Sequence, residues 1–368
     1  MTYLKSMKRS FPFIIQMALL LLVSSCNKEK SETAGLYFPS ASGTEWESVT
    51  PGSLGWNTAA LTDLYTFLDT SNSKAFIVLK DGRIVIEKYF GKQLDGSAFT
   101  SSSYWYWASA GKTMTAFLTG IAQQQGYLSI SDHTSKYLGN GWSSMTTAQE
   151  GSITIRNQLS MTTGLDDGVT DNHCTDPSCL KYLAEPGTRW AYHNAPYTLL
   201  DGVIENSTGQ SFTTYFNAQL RDKIGMDGFW IYVDYDHVYY STARSFARFG
   251  LLLLGRGTWD KTPVLEDNEY FNDMTNTSQA LNQSYGYLTW LNGKGSYMVP
   301  GYQIVIPSDL TPNAPDDMFA AMGKNGQVIN VVPSENLVVV RMGDTPDGTF
   351  VPMTFQNNIW KYLDAVIR

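Results

Sequence analysis

Two short apolar runs, Ala75–Lys80 and Arg83–Tyr89, flank the pair Asp81-Gly82. Branched and aromatic residues on either side of Asp-Gly predict a hairpin, because its tight turn needs positive φ and this pair tolerates it. Further along, the spacing of apolar positions changes from a strand period to a helix period. Met114, Phe117, Leu118 and Ile121 recur three and four apart between Gly111 and Gln125, and Gly126 stops the run. That pattern predicts an amphipathic helix. A second helix is predicted over Thr242–Leu254, ended by Gly255, and a closing one over Phe355–Ile367. Tyr285–Leu291, Met318–Met322, Gln327–Val331 and Leu337–Met342 read as strands. The middle, about 126–285, mixes helical segments with Gly- and Pro-rich loops. Strands at both ends with helices between them predict an α+β domain: one sheet assembled from both termini, and an inserted helical lobe.

The first 25 residues follow a different pattern. Lys5, Lys8 and Arg9 precede an apolar run from Phe11 to Val23, about half of the roughly 20 residues that a membrane-crossing helix needs. This reads as a secretory signal. Its end, Val23-Ser24-Ser25-Cys26, resembles a bacterial lipobox, in which cleavage before the cysteine leaves that thiol to be diacylated. The expected organisation is a lipoprotein signal over 1–25, a polar lipidated tether over 26–51 starting at Cys26, and one folded domain over 52–368. Lys28, Glu29, Lys30 and Glu32 give the tether its solvated character. Such a chain would sit at the bacterial cell envelope, held to a membrane by its lipid.

Loss of residues 1–25, which carry three positive charges and no negative one, takes the net charge from −8 to −11. A chain this acidic lacks the clustered basic surface that nucleic acid requires, so nucleic-acid binding is excluded. Cys174 and Cys179 are the cysteines left besides Cys26. In an exported chain, such a pair reads first as a local disulfide. A metal site from His173, Cys174 and Cys179 is poorly spaced for tetrahedral ligation, and two free thiols are the third option.

Candidate chemistry begins at Ser109-Ala110-Gly111-Lys112, at the mouth of the first predicted helix. Ser and Lys three apart on a helix share a face. A serine hydroxyl needs a base to become a nucleophile, and a lysine of lowered pKa can be that base. Ser-x-x-Lys also occurs at Ser25, Ser71 and Ser178, so the pair alone says little. Two later motifs single it out. Tyr192-His193-Asn194 puts a tyrosine and an amide on one side of an extended segment, with His193 facing away as a packed, hydrogen-bonded histidine. Lys324-Asn325-Gly326-Gln327 supplies a cation where glycine permits close backbone approach. His133, His173 and His237 are scattered, so a Ser-His-Asp triad has no support in the sequence.

Taken in this order, the three motifs resemble the serine β-lactamase and penicillin-binding-protein superfamily, in its class C β-lactamase-like branch. Leu159–Leu165, Tyr197–Leu200 and Ser241–Gly250 extend the likeness over nearly all of 52–368. The resemblance implies a five-stranded antiparallel sheet flanked by helices, a helical lobe, and an active site between them that needs no cofactor. It implies Ser109 as the acylated nucleophile, Lys112 as its proton acceptor and Tyr192 as base and proton relay. Asn194 would bind the substrate's acyl-side amide and orient Lys112. Lys324 would steady Tyr192 or meet an anionic substrate end. The backbone N–H groups of Ser109 and Gln327 would form the oxyanion hole, beside Asn325 and Gly326. Asn325 departs from the usual threonine and lacks the hydroxyl that seats the carboxylate of a β-lactam or D-Ala-D-Ala end. The expected activity is therefore hydrolysis of a small ester or amide, with peptidoglycan peptides one candidate. A DD-carboxypeptidase, a β-lactamase proper and a silent sensor of cell-wall fragments are the alternatives. Tyr104–Trp107, Trp190, Trp230, Tyr232 and Tyr235 surround the motifs, either as packing or as an aromatic cleft wall.

Overall fold

The structure is a computed structural model that describes residues 1–2, 35–349 and 352–368. Its main unit spans Gly35–Arg368. The larger elements, in chain order, are α1 (Leu61–Thr70), β1 (Ser73–Lys80), β2 (Arg83–Tyr89), β3 (Trp105–Tyr106), α2 (Gly111–Gln124) and α3 (Asn194–Thr208). After them come β4 (Phe229–Val233), β5 (Asp236–Ser241), α4 (Ala243–Leu254), β6 (Trp290–Leu291), β7 (Phe319–Gly323), β8 (Gln327–Val332), β9 (Leu337–Gly343) and α5 (Met353–Ile367).

The main sheet is antiparallel, with strand order β2-β1-β9-β8-β7-β6. Chain start and chain end meet at the β1–β9 pair, as the sequence pattern predicted. β7, β8 and β9 are buried along their whole length because helices cover both faces. Ile329 lies under α4, where a Cβ on Gly250 would press on it at 2.8 Å. Asn330, its neighbour on the opposite face, accepts from Gln356 of α5 at 2.8 Å. α5 in turn pairs with α1 through Phe67 stacked on Tyr362 at 4.5 Å. α4 is capped by Thr242, whose hydroxyl accepts from the Ser245 N–H.

Three expectations need correction. The sheet has six strands rather than five, the sixth being the two-residue edge β6. Tyr285–Leu291 is not one strand: the chain folds back so that Gly286 N–H meets Thr289 O at 2.8 Å, and Leu288 takes φ 48°. Its apolar residues fill a buried turn, which a run of hydrophobics does not distinguish from a strand. The inserted lobe is not purely helical either. β4 and β5 form a hairpin that joins β3 in a second, three-stranded sheet. Its turn falls within the polar stretch Asp234-Tyr235-Asp236, which reads as loop, although burial alternates strictly along β5.

The expected tether also changes. Cys26 and the signal lie outside the described residues, but from Tyr37 on the chain is bound to the domain. Tyr37 N–H donates to Asp81 O at 3.0 Å, and Val49 N–H to Ile84 O at 2.9 Å. Trp46 Nε1 donates to Gly82 O at 2.8 Å, and Arg248 reaches Ser40 O and Gly43 O at 3.0 and 3.1 Å. Gly82 has φ +80°, and a Cβ there would stand 1.9 Å from Tyr37 O. The hairpin turn and this strap both require glycine.

Candidate active site

Ser109 lies in a 3-10 turn, Ala108–Ala110, that runs directly into α2. Ala108 has φ 48°, an uncommon conformation for a residue with a Cβ. Trp107 holds the turn in place: it is fully buried, and its Nε1 donates to Ser241 Oγ at 2.7 Å. On the other side β7 closes in. A Cβ at Gly323 would meet Trp107 O at 2.5 Å and Ser109 N at 3.1 Å, so only glycine lets the sheet edge approach the serine backbone.

One helical turn on, Lys112 is buried at 4% exposure, and its Nζ donates to Ser109 Oγ at 3.0 Å. The amine rests 4.1 Å from the Tyr197 ring centre and 5.4 Å from that of Tyr192. Burial lowers its pKa to about 8, against the opposing pull of Asp236. Aromatic faces and one hydroxyl solvate a cation poorly enough that the neutral amine becomes accessible near neutral pH.

Tyr192 also lines the cleft, packed beside Trp290 at 6.0 Å and edge-on to Tyr285 at 6.3 Å. Burial pushes its phenol well above the usual tyrosine value, with a hydrogen bond to Ser109 pulling the other way. Asn194 opens α3 and faces the cleft. Lys324 and Asn325 reach the same cleft from the β7–β8 connection, in which Asn325 takes φ 64°. Ser109, Lys112, Tyr192, Asn194, Lys324 and Asn325 thus converge on one cavity of about 720 Å³.

Gly326 and Gln327 do not line that cavity. The Gln327 side chain turns into the core, donating to Gly343 O at 2.6 Å and accepting from Gly343 N at 3.0 Å. Its backbone alone sits beside Gly323, its partner in the strand register. Asn325 donates through Nδ2 to Tyr106 Oη at 2.7 Å, so its amide is already engaged by a cleft residue.

His193 is packed but not hydrogen-bonded: both ring nitrogens are buried without a partner among the described residues. Burial lowers its pKa to about 4, so it stays neutral at pH 7. Cys174 and Cys179 are bridged at 2.05 Å. His173 beside them lines the cleft: its Nδ1 is 2.7 Å from Asp236 Oδ1 and its Nε2 is 3.1 Å from Asn194 Nδ2. Burial tends to raise the Asp236 pKa, but His173, Lys112 and Lys324 outweigh it and hold the carboxyl below its usual range. Of the aromatics expected as packing or cleft wall, Tyr106 and Tyr235 line the cleft, whereas His173 and Asp236 are cleft residues that sequence reasoning did not place there. The aromatic alternation of β4 and β5 was the available signal for Asp236. Nothing local marked His173.

A six-stranded antiparallel sheet between helices, with a Ser-x-x-Lys pair where a buried helix meets the sheet edge, defines the β-lactamase/transpeptidase-like class. The chain belongs to the Beta-lactamase family, whose model matches residues 71–353. Protein flp of Staphylococcus aureus (strain N315) is 27% identical over 162 residues, which are 40% of this chain and 32% of that protein. The chain therefore spans about a third of the length of that relative. A penicillin-binding protein homologue from Caulobacter crescentus shares the fold at TM-score 0.66 and 13% identity, over 88% of this chain and all of that one. EstCE1, a hydrolase with promiscuous acyltransferase activity, does so at TM-score 0.63 and 14% identity, over 86% of this chain and 99% of that one.

Proposed function

We propose that this chain is a serine hydrolase that cleaves an ester or amide through an acyl-enzyme on Ser109. The observation that carries this reading is the contact between Lys112 and Ser109 at 3.0 Å, made by a buried amine whose pKa is lowered to about 8. In its neutral form that amine takes the hydroxyl proton as Oγ bonds to the substrate acyl carbon. Tyr192, with its raised pKa, holds its proton at rest and relays one to the departing alcohol or amine. The bond from acyl carbon to leaving group breaks, and water then attacks the Ser109 ester and returns the proton to Oγ. Backbone N–H groups of Ser109 and Gln327 are the assigned oxyanion donors, at about 3 kcal/mol each. Lys324 adds positive charge at the cleft mouth.

Asn325 argues for ordinary esters and amides over β-lactams and D-Ala-D-Ala ends. It has no hydroxyl for a carboxylate, and its amide is spent on Tyr106. The lipobox-like end at Cys26 supports an envelope location with the lipid as the membrane contact.

A fluorophosphonate probe tests the mechanism: labelling of the wild type that vanishes in Ser109→Ala supports it, and absence of any adduct refutes it. p-Nitrophenyl esters, nitrocefin and a D-Ala-D-Ala peptide, assayed side by side, test the substrate class. Ester turnover is expected to lead, and faster nitrocefin turnover would overturn the reading of Asn325. Cys26→Ser is expected to release the protein from the membrane fraction.

A further inference from the structure

We propose that β4 is an interface whose occupant is β4 of a second copy of this chain, paired antiparallel about Ile231, so that two three-stranded sheets become one of six. This goes beyond the hydrolase reading and does not depend on it.

β4 is the outer strand of the β3-β5-β4 sheet, and among the described residues it pairs with β5 alone. Outer strands elsewhere are short or overlaid: β3 and β6 have two residues each, and residues 47–49 run beside β2. β4 has five, Phe229-Trp230-Ile231-Tyr232-Val233, in unbroken register and with neither a charge nor a proline to blunt the edge. Four of the five are exposed, Phe229 at 50% and Tyr232 at 63%. Phe229, Ile231 and Val233 stand opposite Tyr240, Val238 and Asp236 of β5. They therefore share the face that borders the cleft, which Val233, Val238 and Tyr240 line. Trp230 and Tyr232 take the other face, Tyr232 stacked on His237 at 4.2 Å. Tyr104, itself exposed, stacks on Phe229 at 5.8 Å and widens the apolar surface.

Charge and register select a second copy. The chain is acidic, so two copies repel except where charge is absent, and residues 228–233 carry none. A two-fold axis makes the strand its own partner. Centred on Ile231, it sets Phe229 against Val233, Trp230 against Tyr232 and Ile231 against itself, so every apolar residue meets another. Centring on Trp230 would set Asp227 against Val233, and centring on Tyr232 would set Asp234 against Trp230. The Ile231 register also brings Phe229 of the partner subunit beside Val233. Each copy then adds a ring to the rim of the other's cleft.

The test uses the purified full chain carrying Cys26→Ser, which removes the expected lipid site and, with Cys174 and Cys179 bridged, leaves no free thiol. Sedimentation equilibrium over a concentration series is expected to show a twofold rise in mass. Ile231→Lys, which puts a charge on the edge, is expected to stay at the single mass with its melting temperature unchanged. Ile231→Cys is expected to link two copies when oxidised with copper phenanthroline, because it faces its own counterpart. Val233→Cys alone is expected not to link, whereas an equal mixture of Phe229→Cys and Val233→Cys is. A single mass at every concentration refutes the inference. So does a dimer that survives Ile231→Lys, as association through the apolar run 11–23 would. Linking by Val233→Cys without linking by Ile231→Cys refutes the register. Should Ile231→Lys melt early, the thiol pattern alone decides.

Discussion

Lys112 and Arg341 are both buried cations, and neither is ion-paired to a carboxylate among the described residues. One bonds the nucleophile and the other the β7–β8 connection. Burial lowers the pKa of both, to about 8 for the amine and about 9 for the guanidinium. The difference lies in what each is given in return. Arg341 donates to Asn325 O, Ser71 O, Asp344 O and Ser73 Oγ at 2.6, 2.8, 3.1 and 3.0 Å, with Gly326 O at 3.3 Å. Five acceptors matched to a rigid fork keep the charge in place and clamp the loop that carries Asn325. Lys112 receives one hydroxyl and two ring faces, which leave its proton loosely held. One buried cation is scaffold and the other is reagent, and the count of acceptors separates them.

That contrast breaks first at Lys112→Met. Ester turnover is expected to fall at least 10²-fold, the usual range for a lost general base, while the melting temperature holds or rises. Arg341→Met is expected to do the reverse in kind: about 3 kcal/mol of stability lost through orphaned carbonyls, seen as a lower denaturant midpoint. A Lys112→Met variant that unfolds as readily as Arg341→Met would remove the distinction.

The pH dependence sharpens it. kcat/KM for an ester should climb as pH rises toward about 8 and level above it, because Lys112 acts only after losing its proton. Stability gives an independent reading of the same group. Its pKa falls from 10.5 unfolded to about 8 folded, so between those values the unfolded chain binds more protons and folding strengthens as pH rises. Any stability gain of Lys112→Met at pH 7 should therefore shrink between about pH 8 and 10.5. A gain constant across that range would mean Lys112 titrates normally. The smallest effect is expected from Cys174→Ala with Cys179→Ala, about 2 kcal/mol for so short a loop.

The reagent half of this contrast was legible in the sequence, and most of the scaffold half was not. Ser109, Lys112, Tyr192 and Asn194 stand in short motifs whose spacing places side chains on one face, and the helix and hairpin periods located their elements. Arg341 lies in a run of valines and reads as an inward misfit; only the fold reveals the carbonyls that receive it. His173 precedes the disulfide-closed loop and Asp236 opens β5; they stand 63 residues apart in the chain, and no local pattern encodes their meeting. His193 was read correctly for facing and wrongly for partners, since facing follows from the backbone and partners from distant chain.

The strap that precedes the domain has one more consequence, for how the protein behaves in solution. β2 is the outer strand of the main sheet, and residues 47–49 lie along its open side: Ile84 N–H donates to Glu47 O, and Ser48 bridges Ile84 in parallel. An uncovered strand edge is a template for another chain's backbone. A version trimmed to the family-matched stretch 71–353 would lose this cover, and it is expected to self-associate edge to edge. The segment that precedes the domain also guards the sheet against aggregation.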